Sequence, residues 1–454
     1  MEDISHIFRS YDVRGIYGKD IDEEVMKRIG NAFSDFSKNA VIGRDMRLSS
    51  RGLSKAFAEG LTDAGASVTD VGLLPLGVAM FHAWRSKKDL AYITASHLPK
   101  EWNGVKFFHS NGLGFLENEN RKIRNIVVKE KHFQKPKGRA VAENSRKIIH
   151  DYVSYLAKKM KAERKARIAM DFGNGAAALA GHWLFRKCGF EVVPVFEKLD
   201  GTFPSRDPEP QEDDLLQLKK TIESNKCDLG IAYDGDGDRM LLVSNDGRKL
   251  SAEQASYLIL SELLKKQKGP IVANIECTRL VDHIAGKFSR KVRRIPVGHT
   301  FLVSETRKSR ACFGLETSGH YIIPSVLPFD DALAVSLYAA CALSKKEKSA
   351  GEIIDELPKY YFERVSMECS DKKKFLVIDR LRKKFKEQYK KVMAIDGVRI
   401  DFPYGWVLIR ASNTSPMIRM TVEAGSSSGL EKLKAEFLGM LQKETGKTGM
   451  IKND

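Results

Sequence analysis

Five uncharged residues, Leu229-Gly230-Ile231-Ala232-Tyr233, run without interruption into Asp234-Gly235-Asp236-Gly237-Asp238-Arg239. A strand apolar enough to be buried therefore ends in three carboxylates separated by single glycines. No structural need accounts for that density of negative charge, although an acidic surface turn is the plain alternative. Alternate glycines remove side-chain bulk, so the backbone can curl and aim all three carboxylates at one centre, where a hard cation offsets their repulsion. The pattern reads as a metal site. It is not an EF-hand loop, whose sixth and twelfth positions should be glycine and glutamate; here they are Arg239 and Asn245. Arg239 is suited to hold a phosphate beside the metal.

Such a strand end implies layered α/β structure, and 454 residues exceed one hydrophobic core at roughly 100 to 200 residues per domain. Short apolar runs such as Ala40-Val41-Ile42 and Ala91-Tyr92-Ile93 alternate with helix-period stretches such as Leu53 to Ala64, giving a first α/β domain over residues 1–140. The polar, basic stretch from Gln134 to Arg146 reads as a linker. A second α/β domain spans 147–247, opening on the strand Ala166 to Met170 and closing on a hairpin that turns at Asn245-Asp246-Gly247. A third spans 248–358, with a strand at Ile271 to Asn274. The last, 359–454, is a smaller α+β domain: Phe375, Ile378, Leu381 and Phe385 mark one amphipathic helix, Leu430, Leu433 and Phe437 another, around strands at Val398 to Phe402 and Trp406 to Arg410. No internal sequence repeat is visible, although three α/β units of similar size can share a topology without one.

Three further segments carry chemistry. Thr94-Ala95-Ser96-His97-Leu98-Pro99 follows an apolar strand and precedes Trp102-Asn103-Gly104-Val105-Lys106, so Ser96 sits where a nucleophile is exposed to ligand. By itself such a serine is more often a cap, and the G-x-S-x-G elbow of a hydrolase is absent. Gly314-Leu315-Glu316-Thr317-Ser318-Gly319-His320 offers carboxylate, hydroxyl and imidazole in one loop, a set that suits vicinal sugar hydroxyls. Arg410-Ala411-Ser412-Asn413-Thr414-Ser415-Pro416, with Arg419 beyond it, crowds guanidinium, hydroxyls and backbone amides as a grip for a phosphate dianion.

Taken in this order, the four segments resemble the α-D-phosphohexomutase family, most closely its phosphomannomutase/phosphoglucomutase branch. Further matches are Phe8-Arg9-Ser10-Tyr11-Asp12-Val13-Arg14-Gly15, Gly43-Arg44-Asp45-Met46-Arg47, Asp207-Pro208-Glu209-Pro210, Pro296-Val297-Gly298-His299 and Gly405-Trp406, so the resemblance spans nearly the whole chain. It implies three related mixed-sheet α/β domains and a smaller C-terminal α+β domain around a central cleft. It also implies an isomerase that interconverts hexose 1-phosphate and hexose 6-phosphate, through a phosphorylated Ser96 and a hexose 1,6-bisphosphate that is both intermediate and activator. Mg²⁺ would be held by Ser96, Asp234, Asp236 and Asp238. Ser96, Lys106, Arg14 and His97 would be catalytic; Tyr11, Arg239, His299, Glu316, Ser318, His320, Arg410, Ser412, Asn413, Thr414 and Arg419 would bind substrate. Lys106 is a candidate general acid/base if neighbouring cations depress its pKa, and otherwise a phosphate anchor. The chain departs from the family at Leu98, where asparagine is usual, at Ser415, where an acid is usual, and at Ala332, where glycine is common. A phosphoglucosamine or phospho-N-acetylglucosamine mutase is the alternative within the family; a non-catalytic anion-binding protein is the alternative outside it.

The net charge of +17 suits phosphorylated metabolites. Nucleic acid is not expected, because no finger, RNP-type motif or aromatic platform accompanies the charge. No membrane span is expected either, since the longest apolar stretch, Ala332 to Leu343, is too short. Six dispersed cysteines with no C-x-x-C pair, and no signal-peptide pattern, place the chain in the cytoplasm. Monomer and homo-oligomer are equally open.

Overall fold

In the computed structural model, which describes residues 4–129, 133, 135–412, 416–446 and 451–453, the apolar runs form four sheets. The first contains β1 (Asp12–Ile16), β2 (Asn39–Arg44), β3 (Ser67–Leu73), β4 (Asp89–Ile93), β5 (Trp102–Phe108) and β6 (Ala140–Ala142), in the order β1-β5-β4-β2-β3-β6. The second holds β7 (Arg167–Asp171), β8 (Glu191–Val195), β9 (Leu229–Tyr233) and β10 (Met240–Ser244), in the order β10-β9-β7-β8. The third holds β11 (Ile271–Asn274), β12 (Val292–Ile295), β13 (Phe313–Leu315) and β14 (Tyr321–Ile322), in the order β12-β11-β13-β14.

One topology recurs in all three. A strand lies at the centre, the next is parallel on one side, the third is parallel on the other, and the fourth returns antiparallel beside the third: β2 to β5, β7 to β10 and β11 to β14. The stretch read as a linker is partly structured, because β6 pairs parallel with β3 and carries the first sheet past residue 140.

The fourth sheet is antiparallel throughout: β15 (Tyr361–Glu368), β16 (Val392–Met393), β17 (Val398–Phe402), β18 (Gly405–Ala411), β19 (Met417–Ala424) and β20 (Ile451–Asn453), in the order β16-β17-β18-β19-β15-β20. Alternate strand residues such as Val398, Ile400, Val407 and Ile409 share a core with Ile378, Leu381 and Phe385 of helix Asp371–Gln388 and with Leu430, Leu433 and Phe437 of helix Ser427–Thr445. Phe375, expected on the buried face, is instead exposed, and Val377 packs inward.

The first three units are fused. A single hydrophobic core runs from Val41 and Leu90 through Ile168 and Ile231 to Ile271 and Leu315. Helix Ala332–Leu343, buried nearly all round, lies within it, and Asp331 caps its start by accepting from the Ala334 N–H. The apolar stretch is thus an interior helix, and among the described residues no helix is long and apolar enough to cross a membrane. The fourth unit meets the third through a small cluster, Ile275, Trp406 and Leu408. Polar bridges supplement it: Arg399 donates to the carbonyls of Ile275 and Cys277, the Arg279 N–H to Glu423, and the Val297 N–H to Asp396.

Candidate active site

The repeated topology places three of the four chemical segments at one equivalent position, the turn from the third strand to the antiparallel fourth. Ser96 lies between β4 and β5, Asp234 to Arg239 between β9 and β10, and Glu316 to His320 between β13 and β14. The fourth segment follows β18, where Arg410 pairs across the sheet with Arg419 of β19.

Ser96 is fully buried, with φ at +52°, a left-handed conformation that serine adopts only when its surroundings enforce it. Arg47 supplies that enforcement: its guanidinium donates to the carbonyls of Ser96 (2.9 Å), Leu98 (2.6 Å), Pro99 (2.6 Å) and Trp102 (3.0 Å). Arg47 is itself held by Asp45 at 3.1 Å, with both side chains wholly buried. Asp45 also accepts from the Thr94 hydroxyl, and Thr94 Oγ1 accepts from the Ser96 N–H at 2.7 Å.

The acidic loop meets this turn directly. Ser96 Oγ lies 2.9 Å from Asp234 Oδ2, and Thr94 Oγ1 lies 3.1 Å from Asp236 Oδ2. Asp234 Oδ1 accepts the N–H groups of Gly237, Asp238 and Arg239, each at 3.1 Å, which curls the loop. Gly235 must lack a side chain: a Cβ there would stand 2.7 Å from the Ser96 carbonyl oxygen.

One ligand atom from each of Asp234, Asp236 and Asp238 falls within 4.8 Å of the others, and all three residues are buried. Asp236 Oδ1 and Asp238 Oδ1 are buried without a hydrogen-bond partner, so the loop carries lone pairs that nothing in the protein satisfies. An all-oxygen, carboxylate-rich donor set with unspent acceptors fits a hard divalent cation such as Mg²⁺. Burial and the neighbouring carboxylates Asp238 and Asp236 push the Asp234 carboxyl well above its usual range. Asp238 goes the other way: against the cost of burial, Lys106, His320 and Arg239 hold it well below.

Lys106 corrects an expectation. It sits on β5 and bonds Asp236 at 2.9 Å and Asp238 at 2.6 Å, so its immediate partners are carboxylates rather than cations. Burial alone would lower its pKa, but Asp236 and Asp238 overcome this and hold it above the ordinary lysine value. His97 is the reverse case: burial, then Arg239 and Arg14, push its pKa far down, leaving a neutral ring whose Nδ1 has no partner. Arg14, on β1, pairs with Asp12 at 2.7 Å.

In the third unit, Asp330 accepts from or pairs with His320 Nδ1 at 3.0 Å and lies 3.8 Å from His299 Nδ1, while the two imidazole rings stack at 5.5 Å. Arg239 Nε donates to His320 Nε2 at 3.0 Å, tying this loop to the acidic one. Burial lowers His299 to about 4 and raises Glu316, whose Oε1 accepts the Gly298 N–H at 2.7 Å. Tyr11 packs edge-on against Phe301 and close to Gly298, and Ser318 is exposed.

A cleft of about 1140 Å³ reaches from His97, Asp234 and Arg239, past Ser318, to Arg410 and Arg419. Ser412 is buried, and its carbonyl accepts from Lys374 at 2.6 Å; Asn413 and Thr414 lie outside the described residues. Reasoning from sequence missed Arg47, Asp330, Glu276 and Arg364 as site residues. Glu276 stands just past the end of β11, bonded to Arg410 at 2.6 Å and Arg364 at 3.0 Å. An acid following a buried strand was the available signal.

Profiles described as phosphoglucomutase/phosphomannomutase α/β/α domains I, II and III and C-terminal domain match residues 5–134, 150–247, 251–361 and 365–440. A curated relative named phosphoglucomutase/phosphomannomutase, from Thermococcus kodakarensis, is 32% identical over 92% of this chain and 95% of its own. Another, named "Probable phosphoglucosamine mutase", from Methanocella arvoryzae, is 31% identical over 95% of this chain and 96% of its own. The crystal structure of a phosphoglucomutase/phosphomannomutase family protein from Burkholderia thailandensis superimposes with a TM-score of 0.90 at 27% identity, covering 99% of this chain and 100% of that one. Fold, site and likeness together define an isomerase-type phosphotransferase, a phosphomutase. Within that class, the chain belongs to the phosphoglucomutase/phosphomannomutase family of α-D-phosphohexomutases.

Proposed function

We propose that this enzyme interconverts the 1- and 6-phosphates of a hexose, glucose or mannose, by way of a phosphorylated Ser96. The observation that carries the proposal is the 2.9 Å approach of Ser96 Oγ to Asp234 within a buried triad of carboxylates. In the proposed cycle the phosphoryl group of Ser96 passes to the free hydroxyl of a hexose phosphate, breaking the Ser96 O–P bond and forming the 1,6-bisphosphate, while the hydroxyl's proton ends on the freed Ser96 Oγ. The bisphosphate turns end for end in the cleft. Its other phosphate then returns to Ser96 Oγ, releasing the isomer.

Bound by Ser96, Asp234, Asp236 and Asp238, Mg²⁺ would supply the charge that offsets the phosphoryl oxygens during transfer. The protein does the positioning. Arg47 fixes the turn that aims Ser96, while Arg14 and the protonated Lys106 present positive charge at the same place. Held charged by its carboxylates, Lys106 acts in this cycle as a hydrogen-bond donor to a phosphoryl oxygen. His97, a neutral ring beside Arg239, excludes water from the serine. Glu316, Ser318, His320, His299 and Tyr11 face the sugar, with Asp330 fixing the two imidazoles. Arg410, Arg419, Ser412, Asn413 and Thr414 grip the phosphate that is not reacting, and the pocket accepts either end of the bisphosphate in turn.

Six cysteines, all free thiols, support a reducing, cytoplasmic setting. The test is a coupled mutase assay on glucose, mannose and glucosamine 1-phosphates, with Mg²⁺ and a trace of glucose 1,6-bisphosphate. Glucose or mannose 1-phosphate is expected to turn over faster than glucosamine 1-phosphate, which is in the panel because relatives carry both names. Ser96→Ala should abolish turnover, and mass spectrometry of the wild type should find one phosphate, on Ser96. Equal rates for wild type and Ser96→Ala would remove Ser96 from the mechanism.

A further inference from the structure

Glu276 is 4% exposed and lies on the wall of the cleft, yet it carries its negative charge among the guanidiniums of Arg410, Arg364 and Arg419. Its Oε1 takes the Nε–H of Arg410 at 2.6 Å, and its Oε2 takes Arg364 at 3.0 Å and the Thr317 hydroxyl at 3.3 Å. Burial favours the neutral acid, but Arg410, Arg364 and Arg419 more than offset this and hold Glu276 below the usual carboxylate range. Thr317 belongs to the sugar loop of the third unit and Arg410 to β18 of the fourth, so Glu276 also stands where the two halves of the proposed substrate grip meet.

We propose that Glu276 is a resident anion of the phosphate pocket, competing with the substrate's phosphate for Arg410 and Arg364 and so limiting how tightly a bisphosphate is held. The inference rests on the reading of Arg410 and Arg419 as that pocket. Its physical basis is simple. Guanidiniums gathered on the wall of a cleft bind a dianion strongly, because Coulomb terms grow as the local dielectric falls. A mutase that must turn its intermediate end for end cannot hold one phosphate that firmly. A carboxylate wired into the same guanidiniums weakens the grip and refills it when the phosphate leaves, sparing the cluster an unpaired state.

Glu276→Gln separates charge from position, since the amide oxygen still accepts from Arg410. Calorimetric titration with inorganic phosphate and with glucose 1,6-bisphosphate should show both Kd values falling by about tenfold in the variant. In the mutase assay KM should fall and kcat should fall with it, a split that loss of structure does not produce. Unchanged or raised Kd values in Glu276→Gln would overturn the proposal. Should that variant fail to fold, Glu276→Ser, which removes the charge and leaves a hydroxyl with room for water, carries the same expectation. Arg410→Gln, measured alongside, should weaken both ligands. If it does not, the phosphate-pocket reading fails; if it does and Glu276→Gln gains nothing, Glu276 alone is rejected as the competitor.

Discussion

Ser96 Oγ and Asp234 Oδ2 meet at 2.9 Å although 138 residues separate them in the chain. The contact joins the first unit's turn to the second's, and it is the point at which the proposed nucleophile and the proposed cation site meet. Asp234→Asn keeps the loop's three N–H bonds to one oxygen but removes a charge and a lone-pair set. Mg²⁺ affinity, read by calorimetry, should weaken by more than the roughly 10- to 100-fold that loss of an outer partner costs. Mutase activity should fall with it.

Arg47 offers a different test, because it touches no substrate. It donates to four carbonyls of the Ser96 turn and pairs with Asp45, both side chains sealed from solvent. Arg47→Met would strand the Asp45 carboxylate and release those carbonyls. Denaturant unfolding should show a loss of about 3 to 5 kcal/mol. In protein that remains folded, kcat should drop while KM for the sugar phosphate stays near wild type.

The parts legible in sequence were those whose physics is local. The convergence of Asp234, Asp236 and Asp238 was readable because alternate glycines and carboxylates after an apolar strand have few other uses, and Ser96 is readable as a strand-end residue. The recurrence of one topology was expected only through the family resemblance and not from spacing along the chain, since strand order depends on which edges pair. Lys106 shows the limit most clearly. Arg14 is a real neighbour, but two carboxylates from another sheet are closer, and they reverse the direction of its pKa. What Arg47 and Glu276 hold was hidden for the same reason: their partners are carbonyls and guanidiniums brought from distant segments, and no spacing along the chain records that.

Asp331 gives a pH dependence outside the acidic loop. Burial raises its carboxyl to about 7, while its oxygens accept from the Tyr152 hydroxyl at 2.8 and 2.9 Å and from the Ala334 N–H, with Asp330 the adjacent charge. Between the ordinary carboxylate pKa and about 7, the folded protein binds a proton that the unfolded chain has released. Stability should therefore fall as pH rises through that window and level off above it, by at most about 4 kcal/mol from this group. Asp331→Asn can still cap the helix and meet Tyr152. Its stability relative to wild type should grow from pH 5 to pH 8; a constant difference between the two proteins would show that Asp331 is ionised throughout.

The joint between the third and fourth units is small enough for one residue to matter. Arg399 is 2% exposed, lies over the Trp406 ring at 3.9 Å, and donates to the carbonyls of Ile275 (2.7 Å) and Cys277 (3.2 Å). It thus plugs the apolar cluster and satisfies two carbonyls beyond β11 at once. Arg399→Met keeps most of the packing volume but removes both donors, at a cost of about 1.5 to 3 kcal/mol to docking. Of these residues only Cys277 belongs to the fused core of the first three units, and Arg399 meets its carbonyl rather than its side chain, so the melting of that core should change little. Amides of β17 and β18 should instead exchange faster with deuterium. KM for the sugar phosphate should rise, because Arg410 on β18 would no longer be held in register with the proposed sugar-binding loop, Glu316 to His320. Faster exchange spread evenly over all four sheets would show that Arg399 supports the whole fold rather than this joint.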